Sequence, residues 1–102
     1  MADEFPYQLV WSLKAQRALG EIRSKAVKSG TIDELDLVII AINSQLRTTP
    51  LALGKVYRST GGVDEHKAFE GVLGIDFAVD VQRQFVLVRG CWSVPVGDRN
   101  GS

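Results

Sequence analysis

The sequence is poor in the residues that hold metals or form disulfides: it has one cysteine, one histidine and one methionine in 102 residues. Cys91 cannot close a disulfide within the chain, and Cys91 and His66 together offer too few ligands for a protein-made zinc site. A phosphate-binding glycine loop, a Ser/His/Asp arrangement and a paired metal-ligand motif are also missing. We therefore predict no metal site and no cofactor.

An excess of either charge is also missing, since 12 Lys and Arg balance 12 Asp and Glu. Nucleic-acid binders usually carry a basic excess because phosphate contacts supply much of their affinity. Neutrality therefore argues against strong nonspecific binding to RNA or DNA, although it permits a local basic patch. The longest apolar run, residues 37–42, is far shorter than the roughly 20 residues that span a bilayer. The acidic, polar start lacks a secretory signal pattern, so we expect a cytoplasmic protein without a membrane span.

The composition that remains is that of a soluble globular protein, with 45% hydrophobic and 24% charged residues. A chain of this length is expected to form a single domain, residues 1–102, around one core. Residues 1–5 and 96–102 have the polar composition of disordered ends.

Two amphipathic helices are predicted between residues 13 and 48. Ser12 stands where an N-cap would accept a free amide, and the first helix should stop at Gly30 in a left-handed conformation. Thr31 is expected to cap the second helix, with Glu34 at capping-box distance, and Pro50 follows its end. Because the connection is so short, the helices should pack as an antiparallel hairpin. The apolar stripe of the second helix consists of Leu35, Val38, Ile39, Ile42 and Leu46.

Strand patterns surround the helices. Residues 7–11, 53–58 and 85–88 read as short strands, and residues 68–82 as one or two more. The polar segment 63–67 leaves two alternatives open, a loop or the displaced end of a strand. The predicted order is β-α-α-β-β-β, an α+β domain in which a helical hairpin packs on one face of a small, mostly antiparallel sheet.

The order of elements carries a family resemblance. A strand Y-x-L-V-W-S, a helix opening S-x-K-A-x-x-x-L over residues 12–19, a second helix and a terminal strand hairpin together resemble the RelE/ParE toxin superfamily of bacterial toxin–antitoxin systems. Residues 7–22 are the most similar part, and residues 76–89 resemble the last two strands of the family. The resemblance implies the superfamily's fold and a small antitoxin as partner.

The resemblance also implies a site. RelE-like members are ribosome-dependent ribonucleases that cut mRNA in the ribosomal A site, using basic residues of the sheet and an aromatic residue near the C-terminus. Positive charge beside the developing oxyanions is the physical requirement of that reaction. Carried over to this chain, the catalytic residues would be Arg89 and Arg58, and the substrate-binding residues Lys55, Lys67 and Trp92.

Two departures from the family pattern affect this site. Asp76 falls at or beside the place where the family has an arginine, and an acid there would repel phosphate. Arg89 lies two residues from the family position, which keeps the strand face but moves the group about 7 Å along it. Trp92 could replace the terminal aromatic as a stacking platform, although it cannot act as an acid or base as tyrosine can.

The basic candidates also have plainer interpretations. We favour an internal ion pair of Arg89 with Asp76 or Asp80 over a ligand contact. Lys55 and Arg58 fit solvated charges at a strand edge.

For the remaining candidates a structural role is expected. His66 is predicted to be an exposed loop residue, and Arg83 a surface residue at a hairpin turn. Trp11 and Trp92 fit the core or its edge, and Cys91 fits a small buried apolar residue.

Two functions therefore remain open. The first is a toxin-like component of a toxin–antitoxin system, with ribosome-dependent mRNA cleavage as its activity. The second is a non-catalytic protein-interaction module, either a ParE-like binder of DNA gyrase or a relative that has lost the basic site. The neutral charge and Asp76 favour the second function. The partners would be an antitoxin and either the ribosome with its mRNA or gyrase. The oligomeric state stays open.

Overall fold

A computed structural model describes residues 5–94. Of the ends expected to be disordered, residues 1–5 and 96–102, all but residue 5 lie outside the described residues. The elements in chain order are β1 (Gln8–Trp11), α1 (Leu13–Ser29), α2 (Ile32–Thr48), a 3₁₀ turn (Pro50–Ala52), β2 (Lys55–Thr60), β3 (Val63–Glu70), β4 (Leu73–Asp80) and β5 (Phe85–Ser93).

The five strands form one sheet in the order β1-β5-β4-β3-β2. β1 runs parallel to β5, and the other neighbouring pairs are antiparallel. Two parallel strands need a crossover connection. Between β1 and β5 this connection consists of the helical hairpin and the strands β2 to β4. The prediction of an α+β domain with a helical hairpin on a mostly antiparallel sheet is confirmed.

The sheet has one strand more than the predicted order. The segment 63–67, for which a loop remained an alternative, belongs to β3 and pairs with both β2 and β4. Gly61 and Gly62 form the tight turn before it, and both have positive φ angles, 59° and 84°. Two consecutive positive φ angles are the conformation of a type I′ hairpin turn, which joins two adjacent antiparallel strands. The Gly-Gly pair is therefore the local signal for this extra strand.

The caps of the two helices differ. Ser12 caps α1 as predicted, since the Ala15 amide donates to its hydroxyl at 3.1 Å, and Gly30 ends α1 with φ 77°. The predicted side-chain cap at Thr31 is wrong, because its hydroxyl makes no capping bond to α2. That hydroxyl lies 3.0 Å from the Ser29 hydroxyl instead.

The core lies between the helices and one face of the sheet. Phe77 and Val79 of β4 and Val86 and Val88 of β5 are fully buried, and they pack in one cluster with Ile42 of α2. On the other side of the hairpin, Arg23 donates two hydrogen bonds of 3.0 Å to Asp36 and ties α1 to α2. Within residues 5–94, no helix is both long enough and apolar enough to cross a bilayer.

Candidate functional site on the open sheet face

The face of the sheet that points away from the helices, here called the open face, has no helix over it within residues 5–94. Side chains of directly paired residues share a face of a sheet, and successive residues alternate between faces. The pairing therefore places four rows on the open face: Thr60, Val63, Asp80, Phe85 and Gln8; then Arg58, Glu65, Ala78, Leu87 and Val10; then Lys55, Lys67, Asp76 and Gly90; then Phe69, Gly74 and Trp92.

Two irregularities in the pairing add one more side chain each. In β2 the register shifts between Val56 and Arg58, so Tyr57 is an extra residue opposite β3. In β5 two residues, Arg89 and Gly90, stand opposite Asp76. A bulge re-aims a side chain and occurs often next to functional sites. The bulges direct Tyr57 and Arg89 toward the same place on the open face.

Those two residues meet Arg58, Glu65 and Asp76 in a network that we call the arginine cluster. Arg89 Nη2 donates to Asp76 Oδ1 at 2.9 Å and to the Tyr57 hydroxyl at 2.7 Å, and it lies 2.7 Å from Glu65 Oε1. Arg58 donates to both carboxylate oxygens of Glu65 from Nε and Nη2. The Tyr57 hydroxyl donates in turn to Asp76 Oδ1 at 3.0 Å. Two guanidinium groups thus share two carboxylates.

The electrostatics of the cluster follow from these contacts. Hydrogen bonds from Arg58 and then Arg89 lower the pKa of Glu65 to about 2. The hydrogen bond to Asp76 raises the pKa of Arg89 above its already high ordinary value. Burial, and then the hydrogen bond to Asp76, raise the pKa of Tyr57. Glu65 therefore stays ionised at neutral pH, and Tyr57 and Arg89 stay protonated. The formal charges of the two arginines and the two acids sum to zero.

The predicted ion pair of Arg89 with Asp76 is confirmed at 2.9 Å. Asp80, the alternative partner of Arg89, instead has its Oδ2 atom 3.8 Å from Arg83 Nε at the turn before β5. Arg83 is 85% exposed there, which confirms its predicted place on the surface. Glu65 is a second partner of Arg89 that was not predicted from the sequence. It is only 8% exposed although it lies on the open face, because the groups bound to it cover it.

The two lysines of the site form a different arrangement. Lys55 and Lys67 stand directly opposite each other on β2 and β3. Within the described residues neither has a carboxylate within 4 Å, and both side chains are exposed. The Lys67 ammonium lies 5.2 Å from the centre of the Tyr57 ring, at cation–π distance. Like charges in directly opposed positions repel each other, so an anion bound there would be stabilised.

Trp92 lies one row further along the sheet. A Cβ atom on Gly74 would come within 2.5 Å of the Trp92 ring, so the indole rests on the bare backbone of that glycine. Phe69 packs its ring against the indole edge to face, with 5.9 Å between centroids. Trp92 is half-buried and Phe69 is 58% exposed. Phe69 was not among the predicted site residues.

Two further sequence candidates lie away from the open face. The prediction that His66 is an exposed loop residue is wrong: it is 1% exposed in β3, stacked on Phe77 at 4.8 Å. Its Nδ1 lies 3.1 Å from the Leu53 carbonyl oxygen, and its Nε2 has no hydrogen-bond partner among the described residues. Cys91 is buried as predicted, and burial raises the pKa of its thiol. Neither group can reach a ligand on the open face.

Trp11 has the predicted place at the edge of the core. It is half-buried, and its indole Nε1 donates to Asn43 Oδ1 at 2.9 Å. Within residues 5–94, no three His, Cys, Asp or Glu side chains are grouped so that they could hold a metal ion.

The fold is shared with solved toxin–antitoxin structures. A chain of the toxin–antitoxin complex RelBE2 from Mycobacterium tuberculosis aligns with a TM-score of 0.63 at 20% identity, over 86% of this chain and 98% of that one. A chain of the archaeal RelE–RelB complex from Pyrococcus horikoshii gives a TM-score of 0.63 at 13% identity, over 86% and 94%. The chain has a RelE/ParE-like fold.

A third solved structure comes from a ParDE system. A chain of the chromosomal ParDE system from P. aeruginosa aligns with a TM-score of 0.59 at 15% identity, over 87% of this chain and 97% of that one. No protein-family profile and no curated protein sequence matches the chain. At these identities the likeness concerns the fold, and activity has to be argued from the residues of the site.

Proposed function

We propose that this chain is the toxin component of a toxin–antitoxin pair, and that the open face is the surface that acts on its target in the cytoplasm. The observation that carries the proposal is that Lys55 and Lys67, which have no carboxylate within 4 Å among the described residues, stand beside the paired Arg58 and Arg89 on one uncovered face of a RelE/ParE-like fold. The whole chain has zero net charge, so this clustering is local. A concentration of cations on a free face suits a polyanionic target.

The proposed activity is mRNA cleavage on the ribosome. In such a reaction the ribose 2′-hydroxyl loses its proton to solvent and its oxygen attacks the neighbouring phosphorus, while negative charge grows on the phosphate oxygens. The bond from phosphorus to the 5′-oxygen of the next nucleotide breaks, and that oxygen leaves after taking up a proton from solvent. Arg58 and Arg89 would stabilise that charge, because guanidinium donors match phosphate oxygens in geometry and sign. Lys55, Lys67 and Trp92 would hold the RNA strand beside them. For this to occur, the guanidiniums must exchange part of their bonding from Glu65 and Asp76 to the phosphate.

A second function is favoured by the arginine cluster itself. Both arginines already bind carboxylates, and Asp76 lies where incoming phosphate would meet repulsion. A toxin that inhibits its target by binding, such as a gyrase-binding ParE-like protein, needs no phosphate site. In that case the cluster would stiffen the open face, and Lys55, Lys67 and Trp92 would contact a protein.

The partner proposed for either activity is a small antitoxin that masks the open face or the helical layer. RelBE2, RelE–RelB and ParDE are named as toxin–antitoxin systems. An amphipathic segment is the usual way for a flexible partner to cover such a surface.

Induced expression in a bacterium tests the toxin role. The wild-type chain should arrest growth, and co-expression of a small protein encoded beside it should restore growth. Primer extension on cellular mRNA then separates the activities: cleavage within translated codons, lost in Arg89→Ala and kept in Arg83→Ala, would establish the nuclease. Growth arrest without cleavage would select the binding activity. Normal growth at high soluble expression would contradict the toxin role itself.

A further inference from the structure

The side of α2 that points away from the sheet carries apolar side chains where a surface helix usually has charged ones. Leu37 is 68% exposed and Ile40 is 64% exposed, although the same helix buries Leu35, Ile42 and Leu46 on its inner side. Within residues 5–94, nothing covers the outer side of α2. A helix that is apolar on both sides is typical of a helix that is covered on both sides.

The neighbouring helix α1 shows the usual pattern of a solvated helix. Its exposed side chains are mostly charged or polar, with Leu13 and Val27 near its two ends as the apolar exceptions. The charged ones include Lys14, Arg17, Glu21, Lys25 and Lys28. Both helices pack on the same face of the sheet, so the apolar outer side of α2 is not a consequence of the fold. It indicates a contact that α1 does not make.

The exposed residues of α2 form a stripe in which steps of four and three residues alternate: Asp33, Leu37, Ile40, Ser44 and Arg47. This is the spacing of a coiled-coil seam, which keeps the side chains on one line of the helix surface. The stripe begins with an acid in the first turn of α2 and ends with a base in the last turn. Ile40 lies midway, about 10 Å from the backbone of either charged residue. The stripe is therefore complementary to itself when it is turned end to end.

The charges at the two ends of the stripe can reach a partner. Asp33 and Arg47 are exposed, and within the described residues neither forms an ion pair. The Arg47 guanidinium lies 5.7 Å from the centre of the Phe5 ring, a contact that does not neutralise its charge. Asp36, which lies beside the stripe, is already bound to Arg23 of α1.

We propose that the α2 stripe is the interface of a homodimer, in which the α2 helices of two copies pack antiparallel about a two-fold axis at Ile40. Leu37 and Ile40 of both copies then pack together, and Asp33 of each copy lies beside Arg47 of the other. A parallel pair would place like charges side by side and align the helix dipoles unfavourably. Each copy presents the same surface, so the assembly closes at two copies.

The size of the contact predicts its strength. A single helix pair buries less than the roughly 1,200 Å² of stable complexes, so the dimer should form only at high protein concentration. The open face lies on the other side of the sheet from α2. The two open faces of the dimer would therefore point away from each other, and both would stay accessible. The dimer does not depend on the function proposed for that face.

Sedimentation equilibrium of the purified full chain, from micromolar to near-millimolar concentration, tests the interface. The average mass of the wild type should rise with concentration from 11.2 kDa toward twice that value. Ile40→Glu should keep the monomer mass throughout, because two carboxylates would face each other across the axis. Val27→Glu is the matched control: Val27 is 61% exposed on α1, and its replacement should leave the dissociation constant unchanged. Both positions are exposed, so both variants should keep the melting temperature of the wild type.

Exchange of the end charges tests the antiparallel orientation. Asp33→Arg and Arg47→Asp should each weaken association by roughly ten-fold, because the dimer has two such contacts and both become repulsive. The double variant D33R/R47D should associate as the wild type does, because opposite charges face each other again.

A wild-type chain that stays monomeric at the highest concentration would overturn the dimer, and so would association that persists in Ile40→Glu. A double variant that associates no better than the single variants would overturn the antiparallel arrangement. If the chain stays monomeric and instead binds its co-encoded small protein through Leu37 and Ile40, the stripe belongs to that partner and the dimer is again refuted. The toxin role is read from growth, so its failure is separate from each of these results.

Discussion

Substitution of Arg89 by methionine tests whether the arginine cluster holds the open face together. Methionine keeps an unbranched side chain but removes the guanidinium that binds Asp76 at 2.9 Å, Glu65 at 2.7 Å and the Tyr57 hydroxyl at 2.7 Å. Hydrogen bonds to charged groups contribute about 1.5–3 kcal/mol each when they are shielded from water. The Arg89 side chain is 35% exposed, so solvent screening reduces this contribution.

The acids also keep other partners in this variant, since Glu65 retains Arg58 and Asp76 retains the Tyr57 hydroxyl. We therefore expect Arg89→Met to lose about 2 kcal/mol of unfolding free energy. For a domain of this size that corresponds to a melting temperature lower by about 10 °C, measured by circular dichroism at neutral pH. Arg83→Met is the control, because its contact with Asp80 is long and exposed and should contribute almost nothing.

A double-mutant cycle with Asp76→Asn assigns the loss to the ion pair. The coupling between positions 89 and 76 should be about 1 kcal/mol, since the two groups are in direct contact. If Arg89→Met has the melting temperature of the wild type, or if the losses of unfolding free energy in Arg89→Met and Asp76→Asn simply add in the double variant, the cluster does not stabilise the open face. Arg89 would then be free for a ligand, as the family resemblance implies.

Three further predictions concern the positions around the site. The pKa of Glu65 is lowered from 4.5 to about 2 in the folded chain, so its contribution to stability is complete above pH 4.5 and is lost as the pH falls toward 2. Glu65→Gln should therefore flatten the melting temperature across that range, and an unchanged acid dependence would contradict the contacts of Glu65. Gly74→Ala places a Cβ 2.5 Å from the Trp92 ring, so it should lower the unfolding free energy by about 1–2 kcal/mol. In a Trp11→Phe background, the same substitution should move the tryptophan fluorescence emission to longer wavelength. An unchanged emission would mean that the indole does not rest on Gly74. Gly54 has φ 71°, and a Cβ there would overlap the Lys67 carbonyl oxygen. Gly54→Ala should therefore lower the unfolding free energy by about 3 kcal/mol in denaturant titrations, and wild-type stability would contradict the path of the chain into β2.

The elements of the fold were predictable because their signals are local. The spacing of apolar residues, the Ser12 cap and Gly30 predict α1 from neighbouring residues alone, and the alternation around Phe77 predicts β4. A loop remained an alternative for residues 63–67 because their charged side chains suggest exposure to solvent. Gly61 and Gly62 carried the better signal, since two flexible residues between extended segments favour a hairpin.

The site was harder to predict because it depends on register. Arg89 in an apolar strand needed an acid, and the sequence was enough to name Asp76. Tyr57 and Arg89 reach the same place through two bulges, which have no local sequence mark. Glu65 meets them only through the register of β3 with its neighbouring strands. His66 was misjudged for a related reason, because its burial depends on pairing with Phe77 and not on its polar neighbours.

The most direct measurement of the central claim compares growth on induction of the wild-type chain and of the double variant K55Q/K67Q. Both lysines are exposed and have no carboxylate partner within residues 5–94, so their replacement should leave folding and soluble expression unchanged. If the open face is the working surface, the wild type arrests growth and the variant does not. Equal arrest by both chains at equal soluble levels would place the activity elsewhere on the molecule and contradict the account.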